Sequence, residues 1–214
     1  MKNIWMWSDL HLGHENMYKF LNEDGTKLRN WETMEEAEEY MVQEYNKLVK
    51  PQDTVYFLGD ISSKNTVADK FFKNIVKSRR VLICGNHDNR LGAKFWLKHF
   101  DDLRGCYNLS QSEDRTNYLL THIPVHSDSK GKFKRCIHGH IHSQQVRKKF
   151  PIVDEYGYPS TASELDPWYK NVSVEVIGYR PLNFDEIVEE TNELIENGEI
   201  IIPKKKERMY FDKI

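Results

Sequence analysis

The chain has 214 residues, 39% of them apolar and 12% aromatic, enough to bury a sizeable core and too many for wholesale disorder. Its formal charge of −2 argues against a broadly basic nucleic-acid surface, and no stretch approaches the roughly 18 apolar residues of a membrane span. Cys84, Cys106 and Cys136 are irregularly spaced, with no disulfide framework and no CxxC knuckle; with only four apolar residues in the first run, the expectation is a soluble cytoplasmic protein with no membrane contact and no obligate protein partner.

In chain order, the first element is the apolar run IWMW (4–7), a strand that stops at Ser8-Asp9 and continues as LHLGH. Residues 33–49 read as a helix. Thr33 and Glu36 make a T-x-x-E capping box, and Met34, Ala37, Met41, Tyr45 and Leu48 step by three and four. Pro51 and Asp53 end it, and TVYFL (54–58) is a strand stopping at Gly59-Asp60. A second helix is predicted over 67–78. The strand VLIC (81–84) then runs into Gly85-Asn86-His87-Asp88, and a shorter helix covers 92–100. Residues 104–145 are richer in strand signals: YLLT (118–121) ends at His122, and RCI (135–137) ends at His138-Gly139-His140-Ile141-His142. Residues 144–170 read as a long loop with Gly157, Pro159 and Pro167, 171–177 (NVSVEVI) as a strand, 184–197 as an amphipathic helix, and 204–214 as a charged tail. Strand and helix alternate, and the strands are apolar throughout, so the expected architecture is α/β with strands covered on both faces. Without an internal repeat or a low-complexity linker, one domain is expected.

Of nine histidines, all but His99 fall in or just after those strand-end segments. A lone Asp after a strand is commonly a turn or cap residue. Five strand ends that all carry Asp, Asn or His are best explained by a metal centre, because ligands of open α/β sheets bind outside the carboxyl ends of strands. Imidazole, carboxylate and amide-oxygen donors without thiolates suit borderline divalent ions, Mn first, with Fe, Zn and Ni also suited. Other hydrolase patterns are missing: HExxH, GxxxxGK[ST] and GxSxG do not occur, and Ser143-Gln144 replaces the Asp-His of the HxHxDH pattern.

DLH (9–11), GD (59–60), GNHD (85–88), His122 and GHIH (139–142) resemble, in order and spacing, the five motifs of the calcineurin-like metallophosphoesterases. The resemblance implies two packed mixed β-sheets flanked by helices, a four-layer αββα sandwich, and a centre of two divalent metal ions. It implies that Asp9, His11, Asp60 and His142 hold one metal. Asp60 would bridge to a second, completed by Asn86, His122 and His140. His87 would be the non-ligand general acid, oriented by Asp88. A hydroxide held between the metals would attack phosphorus while the metals clamp its oxygens, and a positioned acid typically adds about 10²–10⁴-fold. Asn86 is neutral, which leaves net positive charge for a phosphate.

The expected activity is hydrolysis of a phosphodiester, a nucleotide or another small ester. The alternatives are a phosphomonoesterase, a nuclease acting on a nucleic-acid fragment, and a non-catalytic module of the same fold. His14 and Arg29 are candidate substrate contacts. His126 and His138 read as structural, and Cys84 as a small apolar residue. Clusters at 130–135, 147–149 and 204–206 are either solvated charge or a rim for a phosphate-bearing partner.

Overall fold

Along β1 (Ile4–Trp7), Trp5 and Trp7 enter one core and Met6 another, which is why the run is apolar at every position. The computed structural model describes residues 2–110 and 117–202. The chain continues through α1 (Met34–Leu48), β2 (Thr54–Phe57), α2 (Asn65–Asn74), β3 (Arg79–Ile83), the single turn α3 (Ala93–Trp96) and β4 (Asp102–Arg104). Val55, Phe57 and Leu82 join the two tryptophans against Met41, Tyr45, Phe71, Phe72 and Trp96 of the helices. Thr33 caps α1 as expected, its side chain accepting from the amide of Glu36 at 3.2 Å. Helix α2 starts and stops earlier than its pattern suggests, because Ile75 is already extended.

The second half contributes β5 (Cys106–Ser110), β6 (Asn117–Thr121) and β7 (Phe133–His138), then β8 (Arg147–Val153), β9 (Pro159–Leu165) and β10 (Tyr169–Asn171). The one-turn helix α4 (Val174–Ile177), the short strand β11 (Leu182–Asn183) and α5 (Phe184–Glu196) follow. Two mixed sheets result, ordered β11-β1-β2-β3-β4 and β10-β7-β6-β5. All neighbours are parallel except β11 on β1 and β5 on β6. Met6, Tyr56, Val81 and Ile83 of the first sheet meet Leu109, Tyr118, Leu120 and Ile137 of the second in a shared core. Leu194 and Ile195 of α5 pack with Trp168, Ile200 and Cys136 on the second sheet's outer side. The expected two-sheet sandwich is therefore present.

The helix expected over 92–100 is only the single turn α3, and two later stretches also differ from the sequence reading. The loop expected over 144–170 contains the hairpin β8–β9, whose residues are exposed on both faces, so no burial rhythm marked it. Its turn is built by Asp154 Oδ1, which accepts from the amides of Tyr156 and Tyr158, and by Gly157 at φ 85°. The strand expected over 171–177 stops at Asn171. Asn171 Oδ1 takes the amide and hydroxyl of Ser173, and the chain then turns into α4. The charged tail lies outside the described residues. Among the described residues no helix is long and apolar enough to cross a membrane.

Candidate metal centre

The carboxyl ends of β1, β2 and β3 in one sheet and of β6 and β7 in the other open on one crevice. A Ser8–Ser173 bridge joins the sheets there. The backbone turns sharply at these ends. Asp9, His11, Asp60, His140 and His142 have φ of 59°, 49°, 55°, 72° and 50°, five of the six non-glycine residues with positive φ among those described. Left-handed backbone costs a side-chain-bearing residue roughly 1–2 kcal/mol, and such strain collects at functional sites.

Hydrogen bonds hold these turns in place. The amides of Asp9 and His11 donate to the carbonyls of Gly59 and Asp60, each at 3.0 Å. Asp9 Oδ2 accepts from the His140 amide and the Ser173 hydroxyl, both at 2.9 Å. Glycine is required where the strand ends touch: a Cβ on Gly139 would strike Asp9 Oδ2 and Ser8 Oγ, and one on Gly85 would strike Asp60 Oδ1.

Two groups of donors that could hold a metal ion result, Asp9–His11–His142 and Asp60–His122–His140, the ligand atoms of each lying within 4.8 Å of one another. Ligands about 2.0–2.2 Å from one ion stand roughly 3–3.5 Å apart. In the second group His122 Nε2 lies 3.2 Å from His140 Nδ1, 3.3 Å from Asp60 Oδ2 and 3.0 Å from Asn86 Oδ1. His122 Nδ1 donates to the Leu58 carbonyl at 2.7 Å, which turns Nε2 toward the crevice. In the first group His11 Nε2 is 3.9 Å from Asp9 Oδ1. Asp60 Oδ2 is also 3.6 Å from His11 Nε2, so one carboxylate oxygen is near both groups.

Charge and burial fit divalent ions. Asp9 Oδ1 and His11 Nε2 are buried without a hydrogen-bond partner among the described residues, a costly state unless a cation meets them. Burial pushes the Asp9 carboxyl up and the His11 imidazole down to about 3, leaving His11 neutral with a lone pair to give. Burial also works against charge on Asp60, but His122, the His87 amide and His11 outweigh it and hold the carboxyl at about 2. His122 is lifted to about 9 against its burial by Asp60 and Asp9.

The structure brings Asp9, His11, Asp60, Asn86, His122, His140 and His142 together, with His87 at the rim, its side chain 46% exposed and its Nε2 3.9 Å from Asp60 Oδ2. His14 is half-buried beside it, with ring centroids 6.4 Å apart. Two assignments need correction. Asp88 does not orient His87. Its oxygens accept from the amides of Asp60, Gly85 and Ile61 at 2.9, 2.8 and 3.0 Å, so it shapes the turns that carry Asp60 and Asn86. Arg29 is not at the substrate. It is fully buried, donating to the carbonyls of Asp9 and Leu10 and, through Nε, to Glu175 Oε1 at 2.7 Å. His138 is buried and donates to the Gly139 carbonyl, burial pushing it down to about 4, while His126 is exposed. Cys84 packs on the core, and burial raises its thiol.

Sequence reasoning missed Glu175 and Ser173. Glu175 Oε1 also accepts from His142 Nδ1 at 3.2 Å, and Ser173 braces Asp9. Both sit at the β10–α4 junction, which the sequence reading took for the middle of a strand.

A fold of two stacked mixed sheets with two donor groups at their carboxyl edges defines a metallophosphoesterase. Residues 2–201 match the family model for calcineurin-like phosphoesterases, and the chain belongs to that family. It is 30% identical over 205 residues to the uncharacterized protein MJ1445 of Methanocaldococcus jannaschii, covering 94% of this chain and 96% of that one. It is 30% identical over 173 residues to the Gene 66 protein of Mycobacterium phage D29, covering 69% and 82%. Among solved structures, protein AQ665 of Aquifex aeolicus, described as of unknown function, shares the fold at a TM-score of 0.64 and 20% identity, covering 88% and 99%.

Proposed function

We propose that this chain is a two-metal phosphodiesterase of the reducing cytoplasm that hydrolyses a small phosphodiester, with Mn²⁺ able to serve at both groups. The observation that carries this reading is the position of Asp60 Oδ2, 3.3 Å from His122 Nε2 and 3.6 Å from His11 Nε2. Unpaired Cys84, Cys106 and Cys136 support the compartment.

When bound, divalent ions supply Lewis-acid charge for the phosphoryl oxygens and make water acidic enough to ionise near neutral pH. The chain's own residues do the rest. Asp9, His11 and His142 would hold one ion, and Asn86, His122 and His140 the other, with Asp60 Oδ2 near both groups. Asn86 adds an oxygen without adding negative charge, so the centre stays attractive to a phosphate. His87 stands at the open side, outside hydrogen-bond range of Asp60, where its ring can give a proton to the departing alkoxide and regain one from solvent.

The test is to strip the purified protein with chelator, restore Mn²⁺, and compare bis-p-nitrophenyl phosphate with p-nitrophenyl phosphate. Metal-dependent turnover that prefers the diester supports the proposal. A preference for the monoester would make the chain a phosphomonoesterase. Two bound ions with neither ester turned over would favour a binding module.

A further inference from the structure

Beside the two donor groups the surface opens into a cleft of about 790 Å³ that reaches His140 and His142. One wall is the segment 20–24, where Phe20 and Leu21 stand 48% and 64% exposed; Ile141, between the two histidines, forms part of the other. The Phe20 wall is built rather than loose. The amides of Asn22 and Leu28 donate to the carbonyls of Thr26 and Phe20 at 2.8 and 2.9 Å. Ser143 Oγ donates to Asn22 Oδ1 at 2.6 Å, pinning the segment to the strand end that carries His142. Phe20 also meets the ring of His14 edge-to-face at 6.5 Å, and His14 neighbours His87. Exposed apolar side chains held beside a polar centre mark a surface meant to be covered.

Charge indicates what covers it. Among the described residues, Glu23 and Asp24 line this cleft and no Lys or Arg does. Arg29, five residues beyond Asp24, is buried against Glu175 and the carbonyls of Asp9 and Leu10. A ligand portion with its own negative charge would be repelled there. His87, which would protonate the leaving group, is not among the residues lining the cleft, so the cleft is left for the ester group that stays on phosphorus.

We propose that this cleft is the subsite for the retained alcohol of a monoanionic phosphodiester, and that it selects an uncharged aromatic or apolar group over a small alkyl group or one bearing further anionic charge. The inference rests on the phosphodiesterase reading and narrows its substrate class.

The experiment holds the leaving group constant. Full-length protein reloaded with Mn²⁺ is assayed on phenyl p-nitrophenyl phosphate, methyl p-nitrophenyl phosphate and 4-carboxyphenyl p-nitrophenyl phosphate, as wild type, as Phe20→Ala/Leu21→Ala and as Glu23→Gln. Intrinsic differences between esters cancel when the ratio in a variant is compared with that in wild type. The phenyl-to-methyl ratio of kcat/KM should fall about tenfold in the double variant, as expected for losing burial of one aromatic group. The carboxyphenyl ester should gain several-fold on the phenyl ester in Glu23→Gln. A parallel calorimetric titration with diphenylphosphinate and dimethylphosphinate, monoanions with no ester bond to break, reads binding without turnover, and diphenylphosphinate should lose about tenfold in affinity in the double variant. Ratios and affinities unchanged in both variants overturn the subsite while leaving the phosphodiesterase intact. If no diester is turned over, the phosphodiesterase reading fails, and the diphenylphosphinate titration still decides the subsite.

Discussion

Glu175 Oε1 accepts from His142 Nδ1 at 3.2 Å, and this bond determines which nitrogen of His142 faces the first donor group. The same oxygen takes Arg29 Nε at 2.7 Å. Burial alone would raise the Glu175 carboxyl, but Arg29 and His142 hold it below its ordinary range. Glu175→Gln should weaken the Asp9–His11–His142 group for Mn²⁺ by about 10–100-fold, with the Asp60–His122–His140 group less affected. Calorimetric titration of chelated protein should then resolve two unequal sites, and two sites of unchanged affinity would remove Glu175 from the design. Arg29→Met leaves a buried carboxylate without its partner and should cost about 3–5 kcal/mol in urea unfolding.

Asp88 makes a different prediction from the one its neighbour in sequence invites. Its two oxygens take three backbone amides, so Asp88→Asn leaves at least one buried N–H facing an NH₂ group, at about 1–3 kcal/mol. Denaturation should show that loss together with weaker metal loading, because Asp60 moves with its own amide. A variant of normal stability and metal content that had lost only turnover would return Asp88 to the role of partner to His87.

Protons should compete with metal ions at His122. Its ordinary value of 6.5 is raised to about 9 despite burial, through Asp60 and Asp9, and ligation needs the Nε2 lone pair. Metal loading should therefore release a proton from His122 at any pH below about 9, and affinity should fall as the solution is acidified. For the metal-free chain the sign follows from the same shift. A folded-state value above the unfolded one stabilises fully below pH 6.5 and ceases to do so as pH rises through about 9. Proton release on adding Mn²⁺, followed with an indicator in weak buffer, and unfolding in chelator from pH 6.5 to 9 check both statements. No proton release at pH 7, or metal-free stability that rises across that window, would contradict them.

His87→Ala should lower turnover by about 10²–10⁴-fold on an ester with an alkyl leaving group, and less on p-nitrophenyl esters, whose leaving oxygen needs little protonation. Both ions should remain bound. Loss of one ion from the variant would make His87 a ligand instead of the acid.

Much of this site could be read from the chain because its residues sit at strand ends, where a strand buried on both faces gives a run such as IWMW or VLIC and then stops at polar donors. Two kinds of feature were not legible. The β8–β9 hairpin buries neither face, so its alternation carries no hydrophobic signal. Arg29 and Glu175 are 146 positions apart and meet only because α4 follows β10, which pairs with β7, beside the turn after β1. A basic residue near a candidate phosphate site reads as a substrate contact until its burial is known. The adjacency of His87 and Asp88 misled in the same way, since neighbouring side chains at a tight turn point apart.

The most direct test of the account is a metal count. Chelated protein dialysed against Mn²⁺ and analysed by mass spectrometry of the metal should hold two ions per chain, and Asp60→Asn should lower the affinity for both ions, because Asp60 Oδ2 lies near both donor groups. Two ions retained with unchanged affinity in Asp60→Asn, or a single ion in the wild-type chain, would contradict it.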